Sequence, residues 1–499
     1  VRVRVASALP MRRFHLTCVL ACALFTTARL PHAQAPSAVP EIRWEPYTTQ
    51  GADGKPLVGE LGRFQVPENR RQRSDKTIEL ACVRFRSTNP EPGPPIVYLV
   101  GGPGPSGIEH CVAPATGRML RLLDFGDVIG LDQRGTGLSR PNLEEGPEFA
   151  YQLPLERPST RTDVIAAYSE AVARCVAHWK GQGVDLAAYN TLESADDVED
   201  LRRALGVEKI VTWGESYGTH LSLAYLRKHA AHVARSVLIR VEGPDHTWKL
   251  PSTTQRHLEQ LSELVAADPG TSDSLPDFLD LVAGLLEQLA EEPVTVPVVD
   301  GSKKTEIAIG PYDLQSYLAN ALGQAFELVK VPADVQRMLE GDWSNLGAYA
   351  LENRRGAVGS AMALMMDCSS GGSPARLRRI EQESADPKNL LSDAVNVPYP
   401  GACAACGDPD LGDAFRAPLH CDVPVLFVSG GLDARTPPEN VEELRAGFTN
   451  HAHVLAPTAG HESIEMLAPE YRALLTDFLR GKPVASRTLE LPPVRFRPL

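Results

Sequence analysis

The sequence has no cluster of basic residues and no apolar run long enough to cross a lipid bilayer. Acidic residues outnumber lysine and arginine, 63 to 50, and the formal net charge is −13 at pH 7. Nucleic acids and anionic membranes bind positively charged surfaces, so this charge balance argues against both as the main partner. A membrane-spanning helix needs about 20 consecutive apolar residues. We therefore expect no nucleic-acid partner and no integral membrane span.

Motifs for metals and nucleotides are also missing. Cys403 and Cys406 form one Cys-x-x-Cys pair, but no second such pair and no histidine pair stands at zinc-ligand spacing. A disulfide or two unrelated thiols is the better interpretation. Residues 101–104 are glycine-rich but lack both Gly-x-Gly-x-x-Gly and the Lys-Ser/Thr ending of phosphate-binding loops. No internal repeat is evident. We expect neither a metal nor another cofactor.

The N-terminal region has the composition of an export signal. Met-Arg-Arg at 11–13 precedes a short apolar segment at 16–25 and the small-x-small sequence Ala-Gln-Ala at 33–35. A basic start, an apolar segment of about ten residues and a small-residue cleavage site are typical of a secretory signal peptide. We expect residues 1–35 to comprise upstream residues and this signal. The mature protein would then be periplasmic or extracellular.

The cysteines fit an exported protein but do not assign their own partners. Cys18 and Cys22 fall in the predicted signal, and a lipid anchor on Cys22 is a poorer alternative because the apolar run before it is short. An oxidising compartment would allow some of the remaining seven to pair, and an odd number leaves at least one thiol free. These seven are Cys82, Cys111, Cys175, Cys368, Cys403, Cys406 and Cys421.

Strands alternate with helices through the first half of the chain. Residues 95–100 and 127–132 are apolar runs that end in glycine loops, as buried central strands do. A helix is predicted at 162–180, and Ser194 with Asp197 is read as a capping box that opens a second helix. This alternation predicts an α/β fold with a mostly parallel central sheet and helices on both faces. Further strands are predicted at 42–48, 59–66, 78–85, 210–215 and 233–239.

The alternation lapses between residues 244 and 418. Helices predicted at 252–267, 274–291 and 311–329 surround an Asp300-Gly301 sequence between apolar residues, which indicates a β-hairpin. Sheet character returns at 423–428 and 452–455, and a last helix is predicted at 463–480. We therefore expect an α/β core in two parts, residues 36–243 and 419–499, with a large and mainly helical lid insertion at 244–418.

Ser216 lies in a Gly-x-Ser-x-Gly sequence between a predicted strand and a predicted helix. A serine hydroxyl is a weak nucleophile, so it needs a base, and the base needs an acid that orients it. Asp433 and His461 each follow a predicted strand, and the chain order Ser, Asp, His is that of the α/β-hydrolase arrangement. We predict these three as a catalytic triad. His220, on the helix after Ser216, is expected to be structural.

A tetrahedral oxyanion needs two N–H donors that are already in place. In this arrangement one donor is the residue after the nucleophile and the other lies in a glycine loop after an early strand. Tyr217 and Gly102 are the predicted donors.

Five motifs stand in order along the chain: Val100-Gly-Gly-Pro-Gly104, Asp132-Gln-Arg-Gly-Thr-Gly-Leu-Ser139, Gly214-Glu-Ser-Tyr-Gly218, Gly431-Leu-Asp433-x-x-Thr436-Pro437 and Gly460-His461. Together they resemble the motifs of the proline iminopeptidase and tripeptidyl aminopeptidase group of α/β hydrolases. The similarity covers nearly the whole mature chain, including the predicted hairpin and the helices after it. It implies a secreted serine peptidase that removes short units from a free peptide N-terminus.

The sequence also departs from that group. Proline iminopeptidases commonly place a histidine where Val100 stands, and here the loop continues with Pro105-Ser106 rather than another glycine. These departures put strict proline specificity in doubt but leave Gly102 as a donor.

Recognition of a substrate's α-ammonium group requires a carboxylate, because a desolvated cation needs an anionic partner. Glu242 and Glu215 are candidates by position, and acidic residues in the insertion could serve equally well. Glu242 could instead be solvent-facing or salt-bridged, and Glu215 could pack beneath the serine turn or bond Arg134. Two other functions remain open at this point: a carboxylesterase with the same triad, and a non-catalytic binding protein on this fold.

Overall fold

The structure is a computed structural model that describes residues 39–50, 54–72, 74–113, 117–462 and 468–499. The predicted signal segment, with Cys18 and Cys22, lies outside these residues. In the described part of the chain, no helix is both long enough and apolar enough to span a membrane.

A ten-stranded sheet forms the centre of the fold, and two small two-stranded sheets accompany it. The fourteen strands are β1 (Arg43–Gln50), β2 (Pro56–Pro67), β3 (Thr77–Phe85), β4 (Ile96–Leu99), β5 (Val128–Asp132), β6 (Phe149–Gln152), β7 (Ile210–Glu215), β8 (Val233–Ile239), β9 (Val294–Asp300), β10 (Lys303–Ile309), β11 (Arg355–Val358), β12 (Val425–Gly430), β13 (His451–Ala456) and β14 (Arg487–Thr488).

The large sheet has the strand order β1-β2-β3-β5-β4-β7-β8-β12-β13-β14. The pairs β1–β2, β2–β3 and β3–β5 are antiparallel. The remaining pairs, from β5–β4 to β13–β14, are parallel. The predicted mostly parallel sheet with an antiparallel entry is confirmed.

Fifteen α-helices occur in the described residues. They are α1 (Gly107–Val112), α2 (Arg161–Gly181), α3 (Thr191–Leu205), α4 (Tyr217–His229), α5 (Pro251–Ala267), α6 (Phe278–Glu291), α7 (Pro311–Ala321), α8 (Ala325–Leu328), α9 (Val331–Leu339), α10 (Ser344–Asn353), α11 (Ala361–Ser370), α12 (Pro374–Ser384), α13 (Asp413–Arg416), α14 (Glu439–Leu444) and α15 (Pro469–Leu479).

Helices cover both faces of the sheet, as predicted. Successive side chains of a strand point to opposite faces, and β4 shows the result. Val97 and Leu99 pack in a hydrophobic cluster with α2, α3, α4 and α11. Ile96 and Tyr98 pack in a different cluster with α15. Both faces of the central strands are therefore apolar and buried, which explains their uninterrupted hydrophobic sequences.

The region between β8 and β12 divides into two packing environments. Helices α5, α6, α7, α9 and α10 share their own hydrophobic cluster with the β9–β10 hairpin. The hairpin pairs Lys303 with Asp300, so Gly301 and Ser302 form its turn. After α10 the chain returns to the core: β11 pairs with β6, and α11 packs in the cluster that contains α2 to α4. The helical lid thus has its own core, whereas α11 belongs to the core of the sheet.

Two helix predictions were wrong in detail. Helix α3 begins at Thr191 rather than after Ser194, because Asn190 already caps it by accepting the N–H of Glu193 at 3.1 Å. The helix predicted at 311–329 is broken, since α7 ends at Ala321 and α8 begins at Ala325. Of the last predicted helix, residues 463–467 lie outside the described part, and α15 begins at Pro469.

One disulfide joins α11 to the segment that precedes β12. Cys368 pairs with Cys403 across 35 residues of sequence, so the Cys-x-x-Cys spacing does not form a bridge within itself. Cys406 keeps a free thiol, which donates to the carbonyl oxygen of Cys403 at 3.0 Å. Burial raises the pKa of that thiol to about 11.

Candidate active site

Ser216 lies in a sharp turn between β7 and α4, with φ 52° and ψ −126°. A positive φ is unfavourable for a serine, so the surrounding structure must hold it. The two flanking glycines allow the close approach: a Cβ at Gly214 would lie 2.4 Å from the carbonyl oxygen of Gly218, and one at Gly218 would lie 1.9 Å from that of Leu99. The turn raises the Ser216 hydroxyl above the end of the parallel strands.

Asp433, His461 and Ser216 form a continuous hydrogen-bonded chain. His461 Nε2 is 3.1 Å from Ser216 Oγ, and His461 Nδ1 is 2.8 Å from Asp433 Oδ2. Asp433 follows β12, and His461 follows β13, so the ends of three strands bring the residues together. With Nδ1–H donated to Asp433, Nε2 carries the lone pair that can accept the serine proton.

Asp433 is fully buried, and the hydrogen bonds around it favour its ionised form. Its Oδ1 accepts the backbone N–H groups of Arg435 at 2.9 Å and Thr436 at 3.0 Å, and its Oδ2 accepts the Thr436 hydroxyl at 2.6 Å. Burial alone would raise the pKa of this carboxyl, but His461 and Thr436 outweigh burial and lower the pKa well below its usual range. Asp433 is thus a fixed negative charge beneath the imidazole.

The glycine loop after β4 packs directly against the serine turn. A Cβ at Gly101 would lie 2.8 Å from Ser216 Cβ, so only glycine fits there. Gly102 has φ 120°, a conformation that favours glycine, and it lines the same cavity as Ser216. Tyr217 is the first residue of α4, so its N–H has no acceptor within the helix. Both predicted donors therefore lie beside the nucleophile.

A cavity of about 700 Å³ opens above Ser216. Its floor comes from the ends of β4, β7, β8 and β12, and its roof comes from the lid helices α7 and α10 and the segment at 394–397. Ser316, Asn320 and Tyr349 line the roof. The helical insertion and the strand ends therefore line this cavity together.

Glu242 follows β8 and lines this cavity. It is also salt-bridged, as one of the alternatives considered from sequence had it. Lys249 Nζ donates to its Oε2 at 3.0 Å. Its Oε1 is 4.0 Å from His220 Nδ1, which is hydrogen-bonded at 2.9 Å to the carbonyl oxygen of Gly243. Burial opposes ionisation of Glu242, but the Lys249 ammonium outweighs it and lowers the pKa. One carboxylate oxygen, Oε1, thus has no hydrogen bond among the described residues.

Glu215 also lines the cavity, but both of its oxygens are engaged. Oε1 accepts the Trp213 indole N–H at 3.1 Å, and Oε2 accepts Arg240 at 2.6 Å. The suggested bond from Glu215 to Arg134 is absent: Arg134 instead donates to both oxygens of Asp197 at 2.8 Å each. Glu215 therefore packs beneath the turn, the other alternative for this residue.

His220 is buried beneath the turn, as expected for a structural residue. Its Nε2 is 2.9 Å from the Ser370 hydroxyl of α11, and its Nδ1 faces the Gly243 carbonyl. Burial lowers its pKa, so the ring is neutral and ties α4 to α11.

Sequence reasoning missed several charged residues of this site. Arg240, Lys249 and Arg435 line the cavity. Asp367 on α11 lies close enough to Glu242 for the two charges to interact, and burial together with that repulsion raises its pKa to about 8. None of the four is a defining residue of a motif. Arg435 could still have been considered as a site residue from sequence, because it stands between Asp433 and Thr436.

Comparison with known proteins gives consistent matches along the chain. Residues 94–287 match a family model described as alpha/beta hydrolase fold, and residues 394–483 match one described as TAP-like protein. A tripeptidyl aminopeptidase of Streptomyces coelicolor is 24% identical over 87% of this chain and 82% of its own length.

Two further relatives match over shorter stretches. The serine protease Hip1 of Mycobacterium bovis is 29% identical over 41% of this chain and 40% of its own length. A proline iminopeptidase of Neisseria meningitidis is 28% identical over 30% of this chain and 34% of its own length.

Proposed function

We propose that this chain, a serine hydrolase that belongs to the peptidase group of α/β hydrolases, is an aminopeptidase that releases short units from the free N-terminus of peptides. The observation that carries the proposal is the hydrogen-bonded chain from Asp433 through His461 to Ser216, beside a cavity that Glu242 also lines. The composition of residues 11–35 supports an exported enzyme.

In the proposed reaction, Ser216 Oγ attacks the carbonyl carbon of the scissile bond while His461 Nε2 takes the hydroxyl proton. Asp433 holds the ring and stabilises the imidazolium. The N–H groups of Tyr217 and Gly102 would donate to the oxyanion of the tetrahedral intermediate. His461 then gives its proton to the leaving amine, which departs and leaves an acyl group on Ser216. Water activated by His461 hydrolyses this acyl-enzyme.

Glu242 is the stronger candidate for binding the substrate's α-ammonium group. Glu242 lines the cavity, and its Oε1 has no hydrogen bond among the described residues, whereas Glu215 already bonds Trp213 and Arg240. An ammonium group could bond Oε1 while Lys249 keeps Oε2. This arrangement favours a peptidase over the alternative carboxylesterase, because a simple ester has no cation to place there.

The test is an assay of the wild-type protein and of Ser216→Ala on matched substrates. These are short peptides with a free N-terminus, the same peptides with an acetylated N-terminus, and short acyl esters. We expect the wild type to cleave only the free peptides efficiently and Ser216→Ala to lose at least about 10³-fold in kcat. Cleavage of esters without cleavage of free peptides would support the carboxylesterase instead. If both proteins were inactive on every substrate, the alternative of a non-catalytic binding protein would be supported.

A further inference from the structure

Arg435 is a cavity-lining cation to which the proposed reaction assigns no role. It lies between Asp433 and Thr436, and its backbone N–H donates to Asp433 Oδ1 at 2.9 Å. Its backbone thus belongs to the loop that holds the predicted acid. Its side chain is partly buried and reaches the cavity.

The Arg435 side chain packs against the end of α7 and the residues that follow it. Its NH2 donates to Asn320 Oδ1 of α7 at 2.9 Å. Its side chain packs over Gly323, where an added Cβ would lie 2.6 Å from Arg435 Nε. The carbonyl oxygen of Gly323 in turn accepts the backbone N–H of His461 at 3.0 Å. Arg435 and His461 therefore contact the same residue.

The charges of the cavity leave Arg435 without an anionic partner. Arg240 is paired with Glu215 at 2.6 Å, and Lys249 is paired with Glu242 at 3.0 Å. Arg435 has no salt bridge in the ranges that the structure describes; its side chain instead donates to Asn320. Glu215 and Glu242 are thus each paired with a cation, and the carboxylate nearest to Arg435 in sequence, Asp433, is buried and bonded to His461.

We propose that Arg435 binds a carboxylate on the leaving part of the substrate. This inference rests on the proposed function, in which His461 protonates the leaving amine, so the leaving segment must lie beside His461. A guanidinium group binds a carboxylate through two parallel hydrogen bonds, which gives both affinity and orientation. The carboxylate has two possible sources: the free C-terminus of a short peptide, or an Asp or Glu side chain after the scissile bond.

Paired peptides distinguish the two sources. One pair differs only in a free or amidated C-terminus, and the other, both amidated, differs only in Glu or Gln after the scissile bond. We expect the wild type to prefer the anionic member of at least one pair by roughly tenfold in kcat/KM. Arg435→Gln should reduce that preference to about one, and Arg435→Lys should keep part of it because the charge remains.

The matched control is Arg472→Gln, which makes the same chemical change at an exposed position of α15 outside the cavity. It should keep the wild-type preference. No preference in the wild type for either pair, or an unchanged preference in Arg435→Gln, would overturn the assignment.

A second set of substrates separates this inference from the aminopeptidase proposal. Acyl esters of 4-hydroxybenzoate and of 4-hydroxybenzamide carry the same acyl group, and their leaving groups differ only in a carboxylate. If the protein cleaves no peptide, the aminopeptidase proposal fails. If the wild type prefers the hydroxybenzoate ester and Arg435→Gln removes that preference, Arg435 is still supported as the carboxylate-binding residue. If the wild type cleaves both esters at equal rates and also shows no preference within either peptide pair, the assignment is refuted.

Discussion

Glu215 ends β7 and Glu242 follows the neighbouring parallel strand β8, yet their surroundings give them different chemistry. Glu215 is bonded on both oxygens by Trp213 and Arg240, whereas Glu242 shares only one oxygen with Lys249. A carboxylate whose oxygens are already occupied is a poor acceptor for a ligand cation, since binding would have to displace an existing bond. The structure therefore separates two residues that look alike in sequence.

We expect Glu242→Gln to impair recognition of the α-ammonium group selectively. Its kcat/KM for a free N-terminus, divided by that for an analogous ester without the amine, should fall roughly 10-fold to 100-fold, because a bond to a charged group is lost. Glu215→Gln serves as the comparison and should lower both values together, since it disturbs Arg240 beneath the turn. Steady-state kinetics on the two substrates gives both ratios. A ratio that falls in Glu215→Gln and not in Glu242→Gln would reverse the assignment.

At the scale of elements, α11 connects the disulfide to the serine turn. Cys368 on α11 is bonded to Cys403, and two residues later Ser370 bonds His220 and Thr191. His220 belongs to α4, the helix that begins directly after Ser216. The disulfide thus anchors a helix that supports the turn from below, and this explains why the end of the predicted insertion packs with the core.

Removal of the disulfide should lower stability. The bridge closes a loop of 35 residues, and the chain-entropy model assigns about 3 to 4 kcal/mol to a loop of that length. We expect the double variant Cys368→Ser and Cys403→Ser to lose about that amount in urea unfolding without reductant. Cys406→Ser, which removes the neighbouring free thiol, is the control and should lose less than half as much. A double variant as stable as the wild type would show that packing alone holds α11.

At the scale of the whole molecule, protonation of Asp367 makes the stability of the fold depend on pH. Burial and the nearby Glu242 raise the pKa of its carboxyl to about 8, although Lys249 opposes this shift. An aspartate in the unfolded chain has a pKa of about 3.9. Between these two values the folded protein keeps a proton that the unfolded chain releases. Stability contributed by the neutral carboxyl is therefore lost as the pH rises from about 4 to about 8.

Asp367→Asn should remove this dependence, because asparagine does not titrate. Relative to the wild type, the variant should gain on the order of 1 to 3 kcal/mol in unfolding free energy between pH 5 and pH 8. Urea unfolding at the two pH values measures the gain. Asp273→Asn, at an exposed position, is the control and should show no such gain. The same difference for both variants would remove Asp367 as the cause.

The sequence alone determined the fold class and the positions at which the candidate catalytic groups would stand. The signals that predicted the fold are local. They are the apolar runs that end in glycine, the Gly-x-Ser-x-Gly turn, and the spacing of apolar residues typical of a helix or a strand, and all depend on steric limits and side-chain spacing. Ser216, Asp433 and His461 each end or follow such a run, so their approach could be predicted although their catalytic roles stay a proposal. The same local signals misplaced the start of α3, where Asn190 competes as a cap.

Only the tertiary structure decided which charges and thiols became partners. Glu215 and Arg240 are 25 residues apart and Cys368 and Cys403 are 35 residues apart, whereas Glu242 and Lys249 are seven residues apart in the segment after β8. Their pairing depends on how the strand ends and the segments after them pack together, and no local pattern encodes that. The same packing left Arg435 facing the cavity without a carboxylate among the described residues. A charge acquires its role from the groups that surround it in three dimensions, because burial and distance set both its pKa and its available bonds.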